Sequence, residues 1–243
     1  MTKTVAISGS SRGIGRAMAL AFAEKGYNVV VNSKTTCDLG EEVARECEKL
    51  GVRAVYVQAD VSTEAGAKKF AKVAFDTFGK IDCLVNNAGV AQSKLLIDCT
   101  EDDVKNVLFH NIACPVFCSK EFLKEMCKTG GVIINISSML AKSNAAMESL
   151  YASSKAAIIG LTQALACEYG PSGVRVNAIA PGFIETQMTD NFSAEEKREF
   201  ADQTPLGRLG QPKDISGLAV FLASDEASFV SGATLFADGA VTL

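Results

Sequence analysis

Tyr151 and Lys155 stand four residues apart in the run Tyr151-Ala152-Ser153-Ser154-Lys155. On an α-helix, residues at i and i+4 share a face and lie about one turn apart. A phenol is a poor acid near neutrality, with a reference pKa of about 10. An ammonium held close favours phenolate and lowers that value. Such a pair supplies a proton donor and acceptor usable near pH 7. The same spacing also arises as an ordinary surface pair, so the reading needs support from other residues.

The first support is Gly9-Ser10-Ser11-Arg12-Gly13-Ile14-Gly15, which follows the apolar run Val5-Ala6-Ile7 and opens a helical pattern. Glycines permit a tight turn and close backbone approach. A helix N-terminus offers free N–H groups and a positive dipole end to a pyrophosphate. The spacing is G-x-x-x-G-x-G rather than the common G-x-G-x-x-G, yet the strand-to-helix context points to a nucleotide site. The second support is Asn111. Pro115, four residues on, has no N–H, so the Asn111 carbonyl loses its helical partner and a kink is expected there.

These residues need elements to hold them. Apolar runs at 5–7, 28–31, 54–57, 83–85, 132–136, 174–179 and 234–237 read as strands. Helical patterns fall between them at about 13–25, 38–50, 65–78 and 150–169, with a capped start at Thr100-x-x-Asp103. Val132 to Ile136 is almost wholly apolar, as expected where both faces of a strand are covered. Alternation of this kind implies an α/β fold, a parallel sheet with helices on both faces. No repeat or linker interrupts it, so one domain over 1–243 is expected. The stretch from Phe183 to Gly210 breaks the rhythm and holds a capping box, Ser193-Ala-Glu-Glu196. A lid over the site is the expectation, a plain surface excursion the alternative.

Composition narrows the function. Apolar residues make up 48% and charged ones 21% of 243 residues, and the net charge is −4. That balance suits a globular enzyme and argues against nucleic-acid or anionic-membrane partners. No run approaches the length of a membrane span. The eight cysteines form no Cys-x-x-Cys motif, so reduced thiols and a cytoplasmic location are expected. A single histidine, His110, makes a His-based zinc site untenable. It points about 100° away from Asn111 on a helix, so no catalytic role is expected for it.

Taken together these residues resemble the classical short-chain dehydrogenase/reductases along essentially the whole chain. Asn86-Asn87-Ala88-Gly89 matches the family's N-N-A-G motif, and Asn111, Ser138, Tyr151 and Lys155 match its catalytic tetrad. Within the family the chain looks most like 3-oxoacyl-carrier-protein reductases. The resemblance implies a Rossmann-like doubly wound sheet and a reversible hydride transfer between NAD(P)(H) and a ketone or alcohol. Tyr151 would protonate the carbonyl oxygen, Ser138 would hydrogen-bond it, and Lys155 would lower the Tyr151 pKa and hold the nicotinamide ribose. The freed Asn111 carbonyl would hold a water for proton relay. The cofactor would lie on Gly9, Ser11, Arg12, Gly13, Ile14 and Gly15, then on Asn32, Ser33 and Lys34. Asp60 and Val61 would meet the adenine. Asn87, Ala88, Gly89, Tyr151, Lys155, Pro181, Gly182, Ile184 and Thr186 would complete its bed. A homotetramer is also implied.

The end of the second strand reads Asn32-Ser33-Lys34, without the acid that NAD-preferring members carry. Lys34 and Arg12 suit a 2′-phosphate, so NADPH is expected over NADH. Arginines typical of carrier-protein reductases are absent near Lys128 and Gly170, and Ala91-Gln92-Ser93 replaces an Arg-Asp pair. Carrier-protein docking is therefore doubtful. Met139, Leu140, Met147, Phe183, Ile184, Met188 and Phe192 are candidate pocket residues, suiting an acyl thioester or a free apolar ketone such as a hydroxysteroid. A sugar-nucleotide epimerase would need a longer substrate domain. A cofactor-sensing regulator would usually lack the Tyr–Lys pair.

Overall fold

The computed structural model describes residues 2–142, 145–189 and 192–241. Apolar residues, many of them β-branched, fill the central strand positions, and the strands alternate with helices. In chain order these are β1 (Thr4–Ile7), α1 (Gly13–Glu24), β2 (Asn28–Ser33), α2 (Cys37–Lys49), β3 (Ala54–Gln58), α3 (Glu64–Phe78) and β4 (Cys83–Asn86). The second half runs α4 (Glu101–Leu108), a π-helical turn (Phe109–Ala113), α5 (Cys114–Thr129), β5 (Gly131–Ile136) and α6 (Ser149–Tyr169). It ends with β6 (Val174–Pro181), α7 (Ala194–Gln203), α8 (Pro212–Ala223) and β7 (Thr234–Ala237).

The strands form one sheet in the order β3-β2-β1-β4-β5-β6-β7, parallel at every pairing. Parallel neighbours require crossovers, and the helices supply them on both faces. Met18, Phe22, Val43, Ile215 and Leu222 of α1, α2 and α8 close one face over Val5, Val29 and Ile134. Phe70, Phe122, Met126 and Leu165 of α3, α5 and α6 close the other over Ala6, Leu84 and Ile133. At about 25 cal/mol per Å² of apolar surface removed from water, these two layers are the main stabilising term.

The winding direction reverses between β1 and β4. A crevice must open there at the carboxyl ends of the strands, because the following loops diverge to opposite sides. The glycine-rich run follows β1 and Asn87-Ala88-Gly89 follows β4, so topology alone places both at that crevice. The sequence expectation stopped β2 at Val31, but β2 continues through Asn32 and Ser33, which pair with Val57 and Gln58. Both capped starts are present: Thr100 with Asp103 on α4 and Ser193 with Glu196 on α7 each form a reciprocal capping box.

Candidate active site

The glycine loop is shaped by its neighbours. Gly9 has φ +63°, and a Cβ there would lie 2.8 Å from the Ala88 Cα, so only glycine lets the two loops touch. The Ser8 hydroxyl accepts from Asn87 N–H at 3.0 Å and from Ala88 N–H at 3.1 Å. The Asn87 amide donates back to the Ser8 and Gly9 carbonyls at 3.1 and 2.8 Å. α1 then opens at Gly13 behind an extended Arg12 whose side chain makes no cap, and its first turn holds no acid. Among the described residues, no side chain caps the first-turn N–H groups of Gly13, Ile14 and Gly15 at the crevice. That arrangement fits the pyrophosphate of a dinucleotide.

At the end of β2 three of the expected cofactor residues have partners within the chain. Asn32 is buried, and its amide donates to the Val57 and Ala59 carbonyls at 3.0 and 3.1 Å while its oxygen accepts from Gly9 N–H at 3.2 Å. It holds the loop against β3. Ser33 is likewise engaged, with the Thr36 carbonyl at 3.2 Å and the Tyr56 hydroxyl at 2.8 Å. Lys34 is not a free cation, because its ammonium lies 2.8 Å from the Asp60 carboxylate. Burial alone would raise the Asp60 pKa, but hydrogen bonds from Lys34 and Ser62 outweigh it and hold the carboxyl below its ordinary value. Val61 is buried in the core beside it, and the Ser11 hydroxyl meets that of Thr36 at 2.7 Å.

At the other end, α6 carries Tyr151 and Lys155 toward the carboxyl end of β5. Lys155 is buried and donates to the Ile136 carbonyl at 3.0 Å, and its ammonium lies 5.6 Å from the centre of the Tyr151 ring. The Ser137 hydroxyl pins the Lys155 carbonyl at 2.8 Å. A Cβ on Gly89 would lie 3.5 Å from the Lys155 ammonium and 2.9 Å from the Asn111 oxygen, so the loop after β4 passes directly over both residues.

Sequence reasoning expected Lys155 to lower the Tyr151 pKa. In the protein alone burial wins and pushes the phenol up to about 12; the Ser138 hydroxyl opposes this and Glu148 adds to it. Burial also brings Lys155 down to about 8. A low-dielectric surrounding disfavours both charged forms. Tyr151 therefore keeps its proton at neutral pH.

Asn111 is buried, and its side chain is fully committed: Val90 N–H at 2.8 Å, the Val90 carbonyl at 2.9 Å and the Ser154 hydroxyl at 2.9 Å. It ties the β4 loop to α6. The expected disruption at Pro115 takes the form of the π-helical turn, in which Cys114 N–H bonds the Phe109 carbonyl. Pro115 then sits in the first turn of α5, where its missing N–H costs least. π-turns of this kind re-aim the backbone inside a helix. His110 turns away, with Nδ1 2.9 Å from the Asn106 carbonyl.

The stretch after β6 runs beside the glycine loop. Gly182 N–H bonds the Ala237 carbonyl at 3.0 Å, and a bridge joins Ile184 to Gly210. Thr186 borders the glycine loop, 3.7 Å from where a Gly13 Cβ would be, and Arg12 reaches Gln187 at 3.5 Å. Phe183 stacks on Phe200 of α7 with ring centres 4.0 Å apart, and Phe192 meets Phe200 edge-on at 5.1 Å. The two ends of the excursion are thus joined to each other. Of the candidate pocket residues, Met139 and Ile184 are buried and Met147 is half-exposed, in a left-handed conformation (φ 67°), while the Met188 side chain and residues 190–191 lie outside the described residues.

Sequence reasoning missed Ser8, Ser137 and Ser154. Each acts through a backbone group or another side chain, and no residue type or spacing marks that work before the fold exists.

The comparisons agree with this geometry. Residues 9–242 match the family model described as Enoyl-(Acyl carrier protein) reductase. The chain is 39% identical over 240 residues to a 3-oxoacyl-[acyl-carrier-protein] reductase FabG of Staphylococcus aureus, covering 98% of each. It is 37% identical over 241 residues to an L-rhamnose 1-dehydrogenase (NAD(P)(+)) of a Sphingomonas species, covering 98% of this chain and 95% of that one. Among solved structures, a 7α-hydroxysteroid dehydrogenase complexed with NADH and 7-oxo glycochenodeoxycholic acid superposes with a TM-score of 0.95 at 36% identity. That match covers 99% of this chain and 95% of the other. The motifs, the sheet and the relatives converge, and the chain belongs to the classical short-chain dehydrogenase/reductases, a family of oxidoreductases.

Proposed function

We propose that this enzyme reduces a ketone to a secondary alcohol, reversibly, with NADPH favoured over NADH. The observation that carries the reading is Tyr151 with the buried Lys155 beside Ser138, together with the uncapped start of α1 at the crevice. A bound nicotinamide supplies the hydride. The chain's own residues do the rest. Tyr151 holds its proton at neutral pH and donates it to the carbonyl oxygen as negative charge develops there. Ser138 hydrogen-bonds the same oxygen, and the Lys155 cation stabilises the phenolate left behind. The Asn111 turn sets the distance between the β4 loop and α6, with its carbonyl as the seat of a relay water.

The substrate favoured is a 3-oxoacyl thioester, in line with the Staphylococcus aureus relative. A free apolar ketone is the second reading, supported by the hydroxysteroid dehydrogenase neighbour and by the apolar Met139, Met147 and Ile184. Docking of a carrier protein has weaker support, since basic side chains near β5 are committed: Lys124 to Glu121 and Lys128 to Glu125. A cytoplasmic homotetramer completes the reading. Ala156, Ala157 and Gly160 present small side chains outward on α6, and Phe229 is fully exposed next to β7. Initial rates with 3-oxoacyl thioesters, steroid ketones and sugar substrates, each with NADPH and NADH, test the proposal. Turnover of 3-oxoacyl thioesters with NADPH is expected. Activity confined to sugar oxidation with NAD would refute it.

A further inference from the structure

The Lys34–Asp60 pair occupies the place where a cofactor's adenosine ribose would lie, if the dinucleotide binds as proposed above. Both partners are fixed. β2 and β3 are laced past their ends by Ala59 N–H to the Ser33 carbonyl at 3.0 Å and Gln58 to the Lys34 carbonyl at 3.3 Å. Asp60 is held in turn by the Ser62 N–H at 3.1 Å and hydroxyl at 2.6 Å, both on Oδ1, leaving Oδ2 for the Lys34 ammonium. The cation that the sequence offers to a 2′-phosphate is therefore already answered by a carboxylate.

We propose that Asp60 is a built-in counter-ion that restrains Lys34 and so sets how strongly this chain discriminates a 2′-phosphorylated adenosine from an unphosphorylated one. A 2′-phosphate beside Lys34 competes with Asp60 for the ammonium and also meets the negative charge of Asp60 itself. The two side chains are 51% and 31% exposed, so the pair is a weak one and yields to a phosphate. Discrimination is damped rather than abolished, and among the described residues Arg12 meets Gln187 rather than a carboxylate. An unphosphorylated ribose feels neither effect.

Asp60→Asn removes the charge and keeps an oxygen for Ser62. Any contact that Asp60 makes to the adenine is shared by both ligands and cancels in a ratio. The readout is the ratio of dissociation constants of 5′-AMP and adenosine 2′,5′-bisphosphate, measured by calorimetry at low ionic strength, where exposed charges are least screened. The Asp60→Asn variant should raise the preference for the bisphosphate by about three- to tenfold. The gain should shrink in a Lys34→Met background, where only the direct repulsion between Asp60 and the phosphate is left to relieve. Asp60→Ser gives the same test if asparagine disturbs the Ser62 turn.

An unchanged or lowered ratio in a parent that prefers the bisphosphate overturns this inference and leaves the NADPH proposal standing. A parent without preference that gains one in Asp60→Asn supports the inference and overturns the NADPH proposal. An equal gain with and without Lys34 overturns the inference, because the coupling would then not run through that ammonium.

Discussion

Replacing Lys155 by methionine should abolish turnover and yet stabilise the cofactor-free protein at neutral pH. Lys155 is 5% exposed, and burial brings its pKa down from 10.5 to about 8. At about 1.36 kcal/mol per pKa unit, keeping the cation inside the folded chain costs about 3 kcal/mol. The folded value lies below the unfolded one. Below pH 8 both states are protonated and the folded state carries the full penalty. Between about pH 8 and 10.5 the unfolded chain binds more protons, so stability rises with pH there. Methionine keeps the length and apolar stem without the charge. It also leaves the Ile136 carbonyl without its 3.0 Å donor, a loss of roughly 1 kcal/mol. The net gain expected at pH 6–7 is about 1–2 kcal/mol, shrinking toward zero by pH 10.

The chain has no tryptophan, so urea unfolding is best followed by far-ultraviolet circular dichroism. Parent and variant are compared at one protein concentration, since any oligomer makes stability concentration-dependent. A Lys155→Met protein less stable than the parent at pH 6–7 would refute the reasoning. So would a difference that stays constant from pH 6 to 10, because the penalty would then not be that of a buried charge.

Tyr151→Phe keeps the ring and loses the proton, so kcat should fall by about 10²–10⁴ while calorimetric cofactor binding survives. Gly89→Ala places a methyl 2.9 Å from the Asn111 oxygen and 3.5 Å from the Lys155 ammonium. Asn111 is held by three hydrogen bonds and cannot yield, so kcat/KM should drop at least about tenfold. Pro115→Ala returns an N–H opposite the Asn111 carbonyl. The π-turn should then relax toward a regular helix and kcat fall roughly tenfold or more, with the melting temperature kept. Lys34→Asp should flatten or reverse the NADPH preference through the cofactor KM, leaving kcat with the better cofactor unchanged, because the 2′-phosphate is remote from the hydride.

How much of this was legible in the sequence depends on the range of each interaction. The strands around Val29–Val31 and Ile133–Ile136 announce themselves by local composition, and the capping boxes at Thr100 and Ser193 by a three-residue spacing. The break before Pro115 follows from one missing N–H, although the sequence could not say that a π-turn would absorb it. The apolar run marks β2 only as far as Val31, and the polar Asn32 and Ser33 stand beyond it. They extend β2, since Val57, Ala59, Thr36 and Tyr56 supply partners once β3 is in place. Lys34 shows its charge in the sequence but not its partner, which lies 26 residues on and meets it only after β2 and β3 pair.

The same blindness to distance explains the Tyr151 pKa, and it exposes a division of labour between the two ends of the crevice. A neighbouring cation at i+4 is visible in the sequence; the burial that outweighs it is not. At the proposed catalytic end the Lys155 cation is held where water is scarce, so a negative charge formed on Tyr151 would gain a strong partner, at a stability cost carried by the whole fold. At the adenine end the Lys34 cation is half in water and already neutralised, so it costs the fold little and contributes little beyond selection among ligands. Substitutions at the first place should therefore trade activity against stability. Substitutions at the second should change which cofactor binds while leaving the melting temperature nearly fixed. On the proposed mechanism, the molecule concentrates its electrostatic strain where charge would appear during the reaction and leaves the proposed recognition surface easy to alter.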